Sequence, residues 1–124
     1  MTVEALQYLN SCFENLPIPY EFIQWTKTLS YPYFVGEYTE VEPLDEGGEE
    51  QGTFILTGTT IGSYLSLEMI KEQIKEYFPT EGRTAILESG SGIAVSYSTA
   101  FPVPTGESEL KRIQINLSVK EWRC

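Results

Sequence analysis

The sequence predicts an α+β fold, a mostly antiparallel β-sheet with two helices packed on one face. Two stretches, 3–16 and 64–78, have apolar residues at helical spacing. Four stretches are rich in β-branched and aromatic residues: 33–42, 53–62, 93–103 and 113–119. These elements come in groups, whereas a parallel sheet requires helices and strands to alternate. Because 124 residues suffice for one core but not for two, we expect residues 1–124 to form a single domain.

The first helix is predicted over residues 3–16. Its apolar residues are spaced three, four and three apart, which places them on one face: Leu6, Leu9, Phe13 and Leu16. The hydroxyl of Thr2 can accept a hydrogen bond from a free amide of the first turn. Pro17 and Pro19 end the helix, because proline lacks the amide that a helix requires.

The next segment predicts a long hairpin. Residues 20–25 fit a short strand or an irregular packed segment, and "YFVGEYTEVE" from Tyr33 is a strand. The stretch "LDEGGEEQG" then predicts a solvated loop, because two glycines among acids cannot be buried. The strand "TFILTGTTIG" follows, and Gly58 within it suggests a bulge or a bend.

A second helix and three strands complete the prediction. Ser63 can cap the helix, whose apolar stripe consists of Leu67, Ile70, Ile74 and Tyr77, with Phe78 beside it. The short strand "TAILE" is followed by a turn at Ser89–Gly92. Odd-numbered residues from Ile93 to Val103 are expected on one face of the next strand, and those from Ile113 to Val119 on one face of the last.

The composition excludes several classes of partner. The formal charge is −10, from 8 bases and 18 acids, so we expect no binding to nucleic acid or to anionic lipid. No apolar run is long enough to span a membrane, and the N-terminal residues do not have the pattern of a secretion signal. The two cysteines, Cys12 and Cys124, are typical of a reduced intracellular protein, although a bridge between them stays open.

The residues that usually carry catalysis are missing from the sequence. There is no histidine, no CxxC pair and no phosphate-binding glycine motif, and the glycines at 90–92 indicate a hairpin turn. Two pairs of acids, Glu88 with Glu121 and Glu37 with Glu40, could in principle form a two-carboxylate site, but surface charge on strand edges explains them better. We expect no enzyme activity, cofactor or dedicated metal site, and leave weak cation binding by the acidic loop open.

The candidate interface residues are aromatic or acidic. Aromatic residues occur on both alternating positions of the strand at 33–42, so one set must lie outside the core, and exposed apolar surface usually marks a protein partner. The interface that we predict consists of Tyr33, Tyr38, Glu42, Asp45, Glu46, Glu49 and Glu50.

Four phrases, "YPYFVGEYTEVEP", "GTFILTGTT", "SLEMIKEQIKEYF" and "AFPVPTGESELKRIQINLSVKEW", resemble the small tail-terminator proteins of long-tailed bacteriophages and prophages, also called tail-completion, minor tail or neck proteins. The resemblance covers roughly residues 17–122. It implies a structural α+β protein without cofactor that forms a ring, usually hexameric. Such a ring caps the tail tube, stops its polymerisation and meets the head-tail connector. The expected location is the virion tail, after assembly in the host cytoplasm.

Two hypotheses therefore follow from the sequence. In the first, the chain is a phage assembly protein without catalysis, and its acidic loop 42–51 either orders when it meets the tail tube or the connector and steers docking by its charge, or is only a solvated hairpin tip. In the alternative, the chain is a small acidic bacterial module, monomeric or dimeric, that binds or regulates one protein.

Overall fold

The computed structural model describes residues 2–16, 18–22, 31–41 and 49–122. In these residues a mixed sheet of six strands forms a half-barrel, accompanied by two helices. In chain order the elements are α1 Val3–Asn15, β1 Tyr20–Phe22, β2 Tyr33–Val41, β3 Glu49–Ile61, α2 Leu65–Tyr77, β4 Arg83–Ile86, β5 Gly92–Val103 and β6 Leu110–Trp122. The strands are arranged in the order β1-β2-β3-β6-β5-β4. β1 is parallel to β2, and the other neighbouring pairs are antiparallel.

Helix α1 begins as the sequence predicts. The Thr2 hydroxyl accepts a hydrogen bond from the Ala5 amide at 3.2 Å, which satisfies one of the free donors of the first turn. The same residue donates from its amide and its hydroxyl to the carboxylate of Glu121 on β6, at 3.2 and 2.8 Å. The start of α1 is thus fixed to the end of the last strand.

The predicted hairpin of β2 and β3 is confirmed, but its acidic loop is shorter than expected. Glu49, Glu50 and Gln51 belong to β3, where the prediction placed them in the loop. β3 extends this far because Gln51 pairs with Val41 of β2 and Glu49 pairs with Trp122 of β6. For Glu49 and Glu50, pairing with β6 outweighs the low β propensity of glutamate.

Of the bulge or bend predicted at Gly58, the bulge is not found. Register runs without a shift through Gly58, which pairs with Phe34 on one side and Ile113 on the other. The glycine serves a steric purpose, since a Cβ at this position would lie 2.3 Å from Cε2 of the Phe34 ring. The buried ring therefore occupies the space that any other side chain at residue 58 would need.

One face of the sheet, called the core face below, carries the apolar core, and the opposite face is the outer face. Alternation along β3 and β6 buries Phe54, Leu56 and the predicted set Ile113, Ile115, Leu117 and Val119 on the core face. From α1, Phe13 stacks on Phe54 at 5.8 Å and meets the edge of Phe78 at 6.0 Å. The helical stripe of α2 contributes Leu67 and Ile74, both fully buried.

The alternation predicted for β5 holds only as far as Tyr97. A register shift between Tyr97 and Thr99 inserts an extra residue, so Ala100 takes the place in the alternation that Thr99 was expected to have. Phe101, predicted on the same face as Val95, is in consequence 45% exposed. The Tyr97 amide donates to the Phe78 carbonyl at 3.0 Å, which links the strand to the end of α2 at the point where the ladder is interrupted.

Candidate protein interfaces at the sheet edges

An exposed aromatic pair lies beside β1. The rings of Phe22 on β1 and Tyr38 on β2 stack at 6.1 Å with an interplanar angle of 9°. Both side chains are more than a third exposed, at 38% and 36%. Phe22 also stacks on the buried Phe54 at 6.4 Å, so the exposed rings continue directly from the core. We call Phe22 and Tyr38 the aromatic pair.

A groove lies next to the aromatic pair, between α1 and β1. Its volume is about 390 Å³, and it is lined by Val3, Leu6, Gln7, Asn10, Ser11, Tyr20 and Phe22. Burial raises the pKa of Tyr20 to about 12, so its phenol is neutral across the physiological range. The lining offers apolar contact and amide groups but no charged side chain, as is suitable for a protein segment.

The two aromatic residues predicted for the interface do not lie together. Tyr33 and Tyr38 are five positions apart on β2, and alternation therefore places them on opposite faces of the sheet. Tyr38 belongs to the aromatic pair. Tyr33 is half-buried and packs against the exposed Tyr31 ring at 5.7 Å. The prediction of exposed aromatic rings on this strand thus corresponds to two separate surfaces.

The predicted acidic residues divide into two groups. Glu42, Asp45 and Glu46 lie outside the described residues. Glu49 and Glu50 form the first two positions of β3 and pair there with Trp122 and Glu121 of β6. They are therefore residues of a central strand and not of the loop in which the sequence analysis placed them.

The opposite edge of the sheet is formed by β4, a surface that the sequence analysis did not predict. Ile86 on this strand is 78% exposed, the highest value among the large apolar side chains of the described residues. At the start of β4 the Arg83 guanidinium lies over the Tyr77 ring, 3.9 Å from its centre. Ile86 could not be recognised from sequence, since an isoleucine on a short strand normally indicates burial. We call Arg83–Ile86 the β4 edge.

A second surface that sequence reasoning missed lies on α2. Leu65 and Met69 are 69% and 67% exposed and stand one turn apart. Here the sequence did contain a signal. At 100° per residue these two positions point away from the stripe of Leu67, Ile70 and Ile74, so their exposure follows from the predicted helix itself.

The alternative two-carboxylate sites find no support in the positions of their residues. Glu121 is buried at 4% exposure and accepts its hydrogen bonds from Thr2, whereas Glu88 is exposed in the turn between β4 and β5. Glu37 and Glu40 stand at odd and even positions of β2 and hence on opposite faces. Glu121 has a structural contact of its own, since it holds the first turn of α1.

A buried thiol lies between the helices but has no sign of reactivity. Cys12 is 2% exposed, and burial raises the pKa of its thiol. The pKa of Tyr8 is raised to about 12, mainly by burial and to a smaller extent by the neighbouring Cys12. A reactive cysteine needs a lowered pKa and access to solvent, so Cys12 is core filling.

Within the described ranges, no cluster of three or more metal-ligating side chains occurs. The helices found there are too short and too polar to cross a bilayer. The glycine-rich stretch near residue 90 forms the predicted turn, in which Gly90 has a φ of 92° and its amide donates to the Leu87 carbonyl at 2.9 Å.

Comparison with known proteins adds information on the fold alone. No family model matches the sequence, and no curated protein matches it. Eleven chains of solved structures do match. One of them has a TM-score of 0.64 at 14% sequence identity, with 96% of this chain and 96% of that chain covered, and its name states no activity, ligand or partner. At this level of identity the likeness establishes a shared fold over nearly the whole length of both chains.

Proposed function

We propose that this protein is a structural component of a long-tailed phage or prophage that caps the tail tube, ends its polymerisation and helps to join tail to head. Its partners are other copies of itself in a ring, usually of six in the resembled family, the tail tube protein and the head-tail connector protein. The protein acts in the virion tail after assembly in the host cytoplasm. The proposal draws on the four sequence phrases that resemble tail terminators.

The observation that carries the proposal is that large apolar side chains are exposed at both edges of the sheet formed by the described residues. The aromatic pair lies on the side of β1, and Ile86 lies at the β4 edge. Since two different surfaces are exposed, each copy can contact two neighbours. Such head-to-tail contacts produce rings where the rotation closes. A protein that only binds one small molecule has no use for two such edges.

The arrangement of the helices fits a role in which the outer face remains free. We propose that α1 and α2 both cover the core face, an arrangement that the six-stranded sheet alone does not establish. The contacts of Phe13 with Phe54 on β3 and with Phe78 support this arrangement. The outer face of β6 then presents Gln114, Asn116 and Ser118 to a partner or to water.

The acidic stretch is proposed to guide docking. Residues 42–48 lie outside the described residues, and β3 begins at Glu49. A deletion of residues 45–48 tests this part without shortening β3. We expect heads and tails to join more slowly, most clearly at low salt, because long-range charge steering is screened by ions. Unchanged joining would remove the role proposed for this stretch.

Electron microscopy of particles made without the gene tests the function as a whole. We expect unjoined heads beside tails of irregular length, and restoration of normal virions when the gene is supplied from a plasmid. Normal virions in the absence of the protein would overturn the proposal. Discovery of a small fixed species with one tight protein partner would favour the acidic regulatory module instead, and light scattering at several concentrations distinguishes that species from a ring.

A further inference from the structure

The two outermost strands of the described sheet point in the same direction. β1 is parallel to β2, and the four pairings that lead from β2 through β3, β6 and β5 to β4 are all antiparallel. Direction is therefore reversed four times between β2 and β4 and returns to that of β1. A rotation about an axis along the strands preserves this direction, so β4 of one copy and β1 of the next would meet in parallel.

The main chain of β4 has hydrogen-bonding groups directed away from the sheet. The Leu87 amide donates to the Ser91 carbonyl at 2.8 Å, which marks Leu87 as a residue that faces β5. Because facing alternates along a strand, Ala85 also faces β5, while Thr84 and Ile86 direct their amides and carbonyls to the open side. This row of groups is a template for a further strand.

The same argument applies to β1. The Pro19 carbonyl accepts from the Phe34 amide at 2.8 Å, so Glu21 also faces β2, and the main chains of Tyr20 and Phe22 face away from it. In a pair of parallel strands, a residue whose main-chain groups point to the partner strand lies beside a residue whose main-chain groups point away from the first strand. The side chains of these two residues are on the same face of the sheet. Either Thr84 or Ile86 of β4 would then lie beside Glu21 on the outer face.

Charge is divided unevenly between the two ends of the sheet. Among the residues whose side chains are described, α1, β1 and β2 carry five acids and no base: Glu4, Glu14, Glu21, Glu37 and Glu40. Residues 65–122, which form α2, β4, β5, β6 and their connections, carry eight acids and six bases. Contact between two β1 ends would bring acids together without any base, whereas the β4 end offers bases as well.

We infer that the β4 edge of one copy adds to β1 of a second copy in parallel, so that copies join head to tail and the sheet continues across the contact. The inference rests on the proposed self-assembly and identifies the surfaces that make it. Phe22 of the aromatic pair lies at this contact on the core face and Ile86 on the outer face, and each adds apolar area to the main-chain bonds. β1 and β4 have only three and four residues, so their pairing buries much less than the roughly 1,000 Å² of surface that a lasting interface buries. A single contact is therefore weak, and closure of the ring strengthens it.

Cysteine cross-linking tests the contact, because neighbouring strands lie about 4.8 Å apart and disulfides form at Cα separations of about 4.4–6.8 Å. The background is Cys124→Ser, with the buried Cys12 retained. Glu21→Cys is mixed with Thr84→Cys or with Ile86→Cys, each carrying a different tag, under mild oxidation. We expect a mixed covalent dimer from one or both mixtures and none from a single variant alone. Ser63→Cys, at an exposed residue before α2, replaces the β4 variant as control and should yield none.

The possible results separate the contact from the proposed function. Cross-linking of Thr84→Cys or Glu21→Cys with itself would show a two-fold contact and overturn the inference. Rings visible by electron microscopy without mixed cross-links would also overturn it while leaving the proposed function intact. Absence of both rings and cross-links, at high concentration and with tail tubes present, would count against both.

A proline substitution tests the main-chain part of the contact. Thr84→Pro removes a main-chain amide that faces the open side and spares the hydrogen bonds between β4 and β5. Thr84→Val keeps that amide, and its side chain has nearly the same shape as threonine. We expect Thr84→Pro to weaken self-association about tenfold, the effect of roughly one lost hydrogen bond, and Thr84→Val to match the wild type. Circular dichroism and thermal melting confirm that each variant is folded. Equal association of both variants would exclude strand addition at β4.

Discussion

Gly58→Ala should destabilise the protein although it adds only a methyl group. The substitution replaces a strand glycine whose backbone is covered by the Phe34 ring. A Cβ at residue 58 would lie 2.3, 2.6 and 2.9 Å from three carbons of that ring. Favourable contacts between carbon atoms are about 3.5–4.0 Å, so the ring would have to move by more than about 1 Å. Phe34 is fully buried, and because protein cores are close-packed its ring can move only if its neighbours move as well.

The size of the effect follows from two opposing terms. Overpacking a filled core costs about 1–3 kcal/mol, and we expect the upper end here because the ring is enclosed. Alanine recovers about 0.4–1 kcal/mol by restricting the unfolded chain. The net loss should be about 2 kcal/mol in the free energy of unfolding. With a slope of about 2 kcal/mol per molar urea, the midpoint falls by about 1 M.

Equilibrium urea unfolding, followed by circular dichroism, measures this loss. In a double-mutant cycle, Phe34→Leu removes the ring edge, so Gly58→Ala should cost at least about 1 kcal/mol less in that background. Gly92→Ala is the control. Its Cβ would meet the Trp122 ring at 3.3 Å, but that ring is 40% exposed and can move, so the change should stay within about 0.5 kcal/mol.

Two results would refute the reasoning. If Gly58→Ala left the free energy of unfolding unchanged or raised it, the Phe34 ring would be able to move away from residue 58 at little cost. The steric explanation of this glycine would then be wrong. If its cost were unchanged in the Phe34→Leu background, the penalty would arise from the backbone and not from the ring.

Further expectations concern α1 and the buried titratable groups. Thr2→Ala should cost about 1–2 kcal/mol in urea unfolding, because it removes both the cap on Ala5 and the hydroxyl donor to the carboxylate of buried Glu121. Burial raises the pKa of Tyr20 from 10.0 to about 12, so its contribution to stability is present below pH 10 and is lost as the pH rises toward 12. The urea midpoint of Tyr20→Phe should fall less than that of the wild type over this interval. In Cys124→Ser protein, Cys12 should react with a thiol reagent only on unfolding, and fast reaction of the native protein would contradict its burial.

The elements that sequence predicted best are those whose period is uninterrupted. β6 alternates without fault from Ile113 to Val119, and α1 has a cap, an apolar face and a proline after its end. These signals are local, and each is read from residues that lie within a few positions of one another. They suffice for the order of helices and strands and for most of the core.

The features that sequence did not predict depend on contacts across strands. The register shift after Tyr97 leaves no trace in the alternating letters of β5, yet it exchanges the faces of Ala100 and Phe101. The role of Gly58 depends on Phe34, which is 24 positions earlier in the chain and opposite to it in the ladder. Ile86 looks like a core residue until β4 is known to be the last strand of the sheet. For the candidate interface, therefore, sequence indicated the aromatic side of β2 but not the opposite edge.

The acidic composition and the two edges of the described sheet are best understood together. An unpaired sheet edge tends to join with any other strand, and natural proteins limit this by short edge strands and by charge. Here the outer strands of the described sheet have three and four residues, and the chain carries a net charge of −10. In the proposed assembly, repulsion between whole copies would suppress random encounters, and the short edges would permit strong association only where several contacts close at once. The proposed ring on a tail tube would satisfy that condition, while an indefinite stack of strands would not.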